Sequence, residues 1–511
     1  MGDRIYSMTK TKQFTERYGL YVALLLAAVL RIFFLGLRPF DGDEGIIIKI
    51  AQSSGFKAMI SGVSSDVHPP LFHALEYFFL QILQMSEFST RLIPAICGVL
   101  VIWPIYLVFK KLSDQRTAFY VSILSVLSSV LAYHSAEVRP YALFTLVFFW
   151  QFYMFLKIKE TKSLSLALSF ALSTFLLILT QYMGLFVLLG ELLYLVCLDR
   201  KSLTLNNMIS GLFGVGLFAL LWGKIFLYQL SGRSFEQSQA LNLKANITGL
   251  INAIYRFGAG RLFLDLDPSI SKNIELFKAS PFMFIIFVLS LLVPLTLLIW
   301  GMMLFFKKKR QLFWLIALLV LPVFAAALLS GEIGPRAARY LSFLVPFYLF
   351  FIVYPLFLIR KVKSYHSLFI VIFLFIFIAS FINGLYFERS KPGVNKIAQY
   401  LNEQGQKNDT VLIRGGFGGG EELILHYYLK NRKYDFNVVD MYGDYRVGNL
   451  STLKSRDPME YIIESKKGSS SVWFYDLTYS FDDSSFASML FDKIKLGQDK
   501  ENKNLTLYHV R

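Results

Sequence analysis

Asp43 and Glu44 stand side by side in Phe40-Asp41-Gly42-Asp43-Glu44, just after the chain's first apolar run, and Asp66-Val67-His68-Pro69-Pro70-Leu71 follows in the same segment. A carboxylate pair and an imidazole at a membrane surface point to chemistry. Acids beside a bilayer cost several kcal/mol unless something uses or neutralises them, so an acidic cluster where a span emerges is a candidate functional site. Asp43 and Glu44 also suit the start of the Ile-rich stretch that follows, where acidic residues complement the helix dipole. Pro69 and Pro70 suit a helix start, where a missing N–H costs nothing, and they hold Asp66 and His68 in a defined direction. His68 and Asp66 together supply two ligands for a divalent ion, a weak metal signal, or His68 is a structural turn residue. His73 and Glu76, three apart, read as a local pair.

The elements that position these residues belong to a membrane protein. In 511 residues, 55% are apolar and 16% aromatic, and the apolar residues gather in runs of about twenty that no soluble core requires. The net charge of +17 sits mostly in short basic clusters between those runs, where cytoplasmic loops carry Lys and Arg, so it does not indicate nucleic acid. Cys97 and Cys197 lie inside apolar runs and read as small hydrophobes. The polar stretch 1–17 precedes a run without a small-residue cleavage site, which suggests a cytoplasmic N-terminus and an uncleaved first span.

Placing the basic clusters in the cytoplasm gives about eleven spans between residues 18 and 386. They fall at 18–37, 91–109, 118–134, 141–157, 163–180, 183–199, 207–228, 281–306, 312–330, 338–359 and 367–386. The apolar stretch 71–85 is short for a crossing and would invert every later loop, so we expect an interfacial or re-entrant helix within a first external loop, 38–90. Residues 44–51 are a second candidate for lying on the membrane surface. A large external loop spans 229–280, and residues 387–511 read as a small external α/β domain. In that tail, strands are expected at 409–414, 436–440, 471–475 and 505–510, and helices at 394–402, 421–430 and 485–494. The Gly-rich 415–420 lacks the spacing of a nucleotide loop and reads as a turn. Arg31, Glu191 and Lys224, inside spans, should face the bundle interior.

Several motifs in order carry a family resemblance. The Asp-Glu pair, Asp66-Val67-His68-Pro69-Pro70-Leu71, Arg91-Leu92-Ile93-Pro94-Ala95, Ala136-Glu137-Val138-Arg139-Pro140-Tyr141-Ala142-Leu143 and Arg339-Tyr340-Leu341 resemble those of the GT-C superfamily, in particular the protein O-mannosyltransferase-like and aminoarabinose-transferase-like glycosyltransferases. The resemblance covers most of the membrane region and implies a polytopic α-helical enzyme. Such an enzyme takes a hexosyl or pentosyl group from a polyprenyl-phosphate carrier, undecaprenyl rather than dolichyl for a bacterial host. It transfers the sugar with inversion to a lipid, glycan or protein acceptor outside the cytoplasm.

The same resemblance implies roles for residues. Asp43 falls where the family keeps its catalytic base, and Glu44 would orient it or hold the acceptor. Arg139, Arg336, Arg339 and Arg256, at external span ends or in the large loop, suit the donor phosphate, with Asp66, His68, Glu137 and Tyr182 nearby in the same set. Each arginine could equally snorkel to the interface. Relatives often carry histidine before tyrosine where this chain has Gln181-Tyr182, which leaves a metal or phosphate role there in doubt; some relatives use a divalent metal and others do not. Two other classes fit parts of the pattern: a lipid or sugar transporter or flippase, and an inactive partner of another transferase. Sites gathered at one interface, without an internal repeat, argue against a transporter.

Overall fold

The computed structural model describes residues 2–33, 35–66, 68–160, 163–233, 243–260, 281–330, 336–358, 364–386, 394–405, 409–414, 420–429, 437–440, 472–476, 491–498 and 504–510. In chain order the helices are α1 (Gly2–Ile32), α2 (Gly42–Ala51), α3 (Phe56–Ser64), α4 (Leu71–Ile82), α5 (Leu92–Leu100), α6 (Ile102–Leu112), α7 (Gln115–Val126), α8 (Ser129–His134), α9 (Tyr141–Ile158), α10 (Leu164–Thr180) and α11 (Met183–Leu198). They continue with α12 (Leu205–Arg233), α13 (Leu243–Ala259), α14 (Pro281–Lys308), α15 (Arg310–Leu329), α16 (Ala337–Tyr340), α17 (Val345–Leu358), α18 (Ser364–Tyr386), α19 (Val394–Gln404) and α20 (Gly420–Leu429). Among the described residues, five strands lie in the tail: β1 (Thr410–Arg414), β2 (Asn437–Asp440), β3 (Val472–Asp476), β4 (Phe491–Gln498) and β5 (Asn504–Val510).

The chain forms two compact units, Met1–Phe34, His68–Phe72 and Leu92–Tyr386 on one side, and Leu35–Val67, His73–Arg91 and Phe387–Arg511 on the other. The sequence reading put the whole first external loop with the spans. The contacts instead group most of it with the tail.

The first unit is a helix bundle of a polytopic membrane protein. Among the described residues, Leu92–Leu112, Tyr141–Ile158, Leu205–Ser231, Phe284–Lys308 and Arg310–Leu329 are long and apolar enough to cross a membrane, and shorter apolar helices occupy other expected spans. The expected span 91–109 is interrupted at Val101, because Pro104 has no N–H for the Leu100 carbonyl. The expected span 118–134 is divided into α7 and α8, and Ser128 caps the second piece through the Leu131 N–H at 3.4 Å. Helices approach closely where glycine allows it: a Cβ on Gly190 of α11 would lie 2.6 Å from the Leu318 carbonyl of α15. Buried aromatic rings fill the bundle, with Phe109 stacked on Phe350 at 4.9 Å and Phe148 edge-on to Phe343 at 4.7 Å. Glu191 faces inward as expected and accepts from Gln151 Nε2 at 2.9 Å, whereas Lys224 is exposed, its long stem able to carry the ammonium toward the headgroups. Helix α13 was not foreseen in the large loop; it buries Leu250, Ala253, Tyr255 and Phe257 and packs against α15 and α16.

In the second unit the sheet order is β2-β1-β3-β5-β4, with β1 parallel to β2 and β3, and β5 antiparallel to β3 and β4. A helix was expected at 485–494, but residues 491–498 form β4. The segment pairs along β5 from Phe491↔Val510 to Gln498↔Asn504, and that ladder overrides local preference. The Gly-rich 415–419 lies outside the described residues.

Helix α2 covers the second candidate for the membrane surface and packs within the protein. It buries Glu44, Ile47, Ile48 and Ile50 and packs against α20 and α3. Helix α4 has the opposite amphipathicity from a soluble helix: His73 and Glu76 are buried while Leu75, Phe78 and Ile82 are exposed, the arrangement an interfacial helix needs when its apolar side meets lipid. Asp66 lies 3.2 Å from His73 Nε2, so the expected His73–Glu76 pair is replaced by one with Asp66. Both Glu76 carboxyl oxygens lack a hydrogen-bond partner among the described residues. Burial, and then the negative charge of Glu44, hold the Glu76 carboxyl well above its ordinary value of 4.5. A raised acid takes up its proton on folding, so that stabilisation is complete below the ordinary value and is lost as pH rises through the raised one. Thermal unfolding across this range should show wild-type stability falling with rising pH and a flatter profile for Glu76→Gln; parallel profiles would contradict this assignment.

Candidate functional site

Asp43 sits on the first turn of α2, half-buried, and the surrounding chain is tied down at almost every residue. Asp41 is the N-cap: its carboxylate accepts from the Glu44 N–H at 3.1 Å, and Glu44 Oε2 accepts from the Asp41 N–H at 3.1 Å, a complete capping box. Arg91 closes the structure from the far end of the loop. Its Nε donates to Glu44 Oε1 at 2.8 Å and its Nη2 to Glu44 Oε2 at 2.6 Å, a bidentate pair with no solvent exposure on either side chain. The same guanidinium donates to the Arg38 carbonyl and, at 3.1 Å, to the Pro39 carbonyl, and it lies 5.1 Å from the centre of the Phe40 ring. Arg38 Nη2 adds a second cation 2.9 Å from Glu44 Oε1.

Glu44 is therefore occupied by two arginines and a backbone N–H, and Asp43 is the more exposed acid of this pair. Arg91 was quoted in the sequence only as part of a motif; an arginine opening a span next to an acidic loop was the available signal.

A second cluster lies in the bundle unit, around Tyr141 at the start of α9. His68 stands edge-on to that ring at 6.5 Å, His134 lies 4.8 Å from it, and Tyr340 stands edge-on at 6.0 Å. Arg139, Arg339 and Glu137 are all within electrostatic reach of the same phenol. His134 Nδ1 is 3.0 Å from Glu137 Oε2, and both side chains are buried. The sequence reading thus placed His68, Glu137, Arg139 and Arg339 in one neighbourhood but missed His134, although its spacing of three from Glu137 at a helix end was visible.

Other candidates lie apart from these groups. Arg336 is exposed at the N-cap of α16. Arg256 donates to Asn252 at 3.2 Å within α13. The Tyr182 hydroxyl is engaged by Trp222 Nε1 at 3.0 Å and by Gln229, with the Phe226 ring 4.8 Å away, so it acts as a joint to α12. The expected Asp66–His68 metal pair does not have the form of a metal site: Asp66 approaches His73, and His68 meets Tyr141. Among the described residues no three His, Cys, Asp or Glu side chains come together to hold a metal.

Residues 67–223 match the family model described as dolichyl-phosphate-mannose-protein mannosyltransferase. The chain also superposes on ArnT from Cupriavidus metallidurans bound to undecaprenyl phosphate, with a TM-score of 0.58 at 12% identity over 96% of this chain and 98% of that one. The fold is that of the GT-C glycosyltransferases. The GT-C likeness extends to the Archaeoglobus fulgidus oligosaccharyltransferase in its apo form, with a TM-score of 0.52 at 13% identity over 91% of this chain and 70% of that one. The same archaeal enzyme in complex with Zn and sulfate gives a TM-score of 0.53 at 14% identity, over 89% and 68%. No curated protein matches the chain by sequence.

Removing one partner of the buried Glu44–Arg91 pair leaves an uncompensated charge, so Glu44→Ala and Arg91→Met should each destabilise the protein by about 3–5 kcal/mol. The double variant Glu44→Leu with Arg91→Met should cost much less than the sum of the two single changes. Chemical unfolding in detergent measures this, and additive losses would show that the two residues are not coupled.

Proposed function

We propose that this protein is an inverting glycosyltransferase that moves a sugar from a polyprenyl-phosphate carrier to an acceptor outside the cytoplasm. The observation that carries the reading is Asp43, a half-buried carboxylate on a helix start made rigid by the Glu44–Arg91 pair and its capping box. The GT-C fold supports the same class of chemistry.

In this reading Asp43 accepts the proton of the acceptor hydroxyl as that oxygen forms a bond to the anomeric carbon. The bond between the anomeric carbon and the carrier phosphate breaks, its electron pair leaves with the polyprenyl phosphate, and attack opposite the leaving group inverts the configuration. The phosphate charge is met by Arg139 and Arg339, with Arg336 and Arg256 as further cations, and His68 serves as a hydrogen-bond donor to the leaving oxygen. Glu44 fixes the direction of Asp43 and does not itself touch substrate. The positive-inside pattern puts the N-terminus in the cytoplasm and both the first loop and the tail outside, in the inner or plasma membrane of a bacterium. The carrier is then undecaprenyl phosphate, the lipid that ArnT binds in its crystal structure.

Purified protein in lipid nanodiscs, supplied with a panel of labelled polyprenyl-phosphate sugars and a membrane extract as acceptor, tests this directly. Wild type should transfer label, and Asp43→Asn should lower turnover about a hundredfold or more with donor binding retained. Near-normal turnover in that variant would remove Asp43 from the role of base, and no transfer from any donor by folded wild type would reject the reading. Arg139→Ala and Arg339→Ala should raise the donor KM more than they lower kcat; unchanged donor affinity in both would return these arginines to the lipid interface.

A further inference from the structure

Phe40, three residues before Asp43, is held by the tail. Its N–H donates to the Tyr428 hydroxyl of α20 at 2.9 Å, and its ring lies 5.4 Å from Tyr427, edge-on, and 6.4 Å from Tyr428. The same two phenols grip the other end of the first loop: Tyr427 donates to Glu87 Oε2 at 2.9 Å, and Tyr428 is hydrogen-bonded to Glu87 as well. Tyr428 Oη therefore accepts from Phe40 and donates toward Glu87, bridging residues 47 positions apart in the loop across a helix nearly four hundred positions further along the chain. Burial and the Glu87 carboxylate push the Tyr427 phenol up to about 12, so it stays protonated and able to donate at physiological pH.

This bridge completes the restraint that Arg91 begins. Arg91 holds the carbonyls of Arg38 and Pro39, and Asp41 is held by its capping box with Glu44. The Phe40 N–H between them is held from α20. We propose that Tyr428, assisted by Tyr427 and Glu87, is a positioning residue through which the C-terminal tail holds Asp43 in its reactive orientation. This rests on Asp43 being the base of the reaction proposed above. The tail then has a part in the chemical step itself, apart from any contact it makes with an acceptor.

The test uses the full chain in nanodiscs. Tyr428→Phe keeps the ring and removes the oxygen that joins Phe40 to Glu87, and Glu87→Gln weakens the bridge at its other end. Both variants should lower kcat about tenfold or more, since a displacement of a fraction of an ångström at a reacting group is felt in rate, while the donor KM stays within about twofold. Hydrogen–deuterium exchange provides a readout that needs no activity: amides of residues 40–45 should exchange faster in Tyr428→Phe than in wild type, with the bundle helices unchanged. Unaltered kcat and unaltered exchange in Tyr428→Phe would overturn the proposal, as would equal losses in kcat and donor affinity. If Tyr428→Phe does not fold, Tyr427→Phe, which removes only the second bond to Glu87, takes its place with the same two readouts. Faster exchange in a wild-type background that transfers no sugar would instead retain the bridge and reject the proposed reaction.

Discussion

A bidentate guanidinium–carboxylate pair with no access to solvent, Arg91 with Glu44, organises the loop that follows the first span. Two ions taken out of water gain little net stability, because desolvation offsets most of their attraction. Their value here lies in geometry. The planar fork of Arg91 has only one arrangement that satisfies Glu44 and two backbone carbonyls together, and that arrangement sets the path of residues 38–44. Asp43 inherits its direction from this path, through a helix start that the capping box defines.

The bilayer changes how the neighbouring elements must be understood. On α4, His73 and Glu76 are buried with Phe72, while Leu75, Phe78 and Ile82 are exposed, which would be unfavourable in water and is sensible beside lipid. The cost of burying Glu76 is met by holding its proton, and the cost of burying Glu44 by two cations. Two buried acids in one loop are thus made tolerable by different means.

Much of this was legible in the sequence. The apolar runs matched helices because their length and composition answer to the bilayer alone, and the interruptions at Val101 and Leu127 were invisible mainly because a proline or a capping serine inside a hydrophobic run does not change its hydropathy. Four of the five tail strands were legible from alternation and β-branched content. The fifth, β4, was not, since only pairing with β5 decides the matter. Around Tyr141, the sequence motifs pointed to Glu137, Arg139 and Arg339, but His134 had no motif of its own.

What the sequence determined by itself is the class of molecule: a polytopic membrane protein, with acids and arginines gathered between its apolar runs. Those are properties of composition, order and spacing, and they do not depend on which side chain meets which. Tertiary structure alone decided that Glu44 is enclosed by arginines, that Asp66 turns to His73, and that Tyr428 reaches back to Phe40. The physical reason is that adjacent acids are equivalent in a sequence until burial and hydrogen bonding separate them, and the partners that set these side chains lie from 3 residues away, Asp41 to Glu44, to 388, Phe40 to Tyr428.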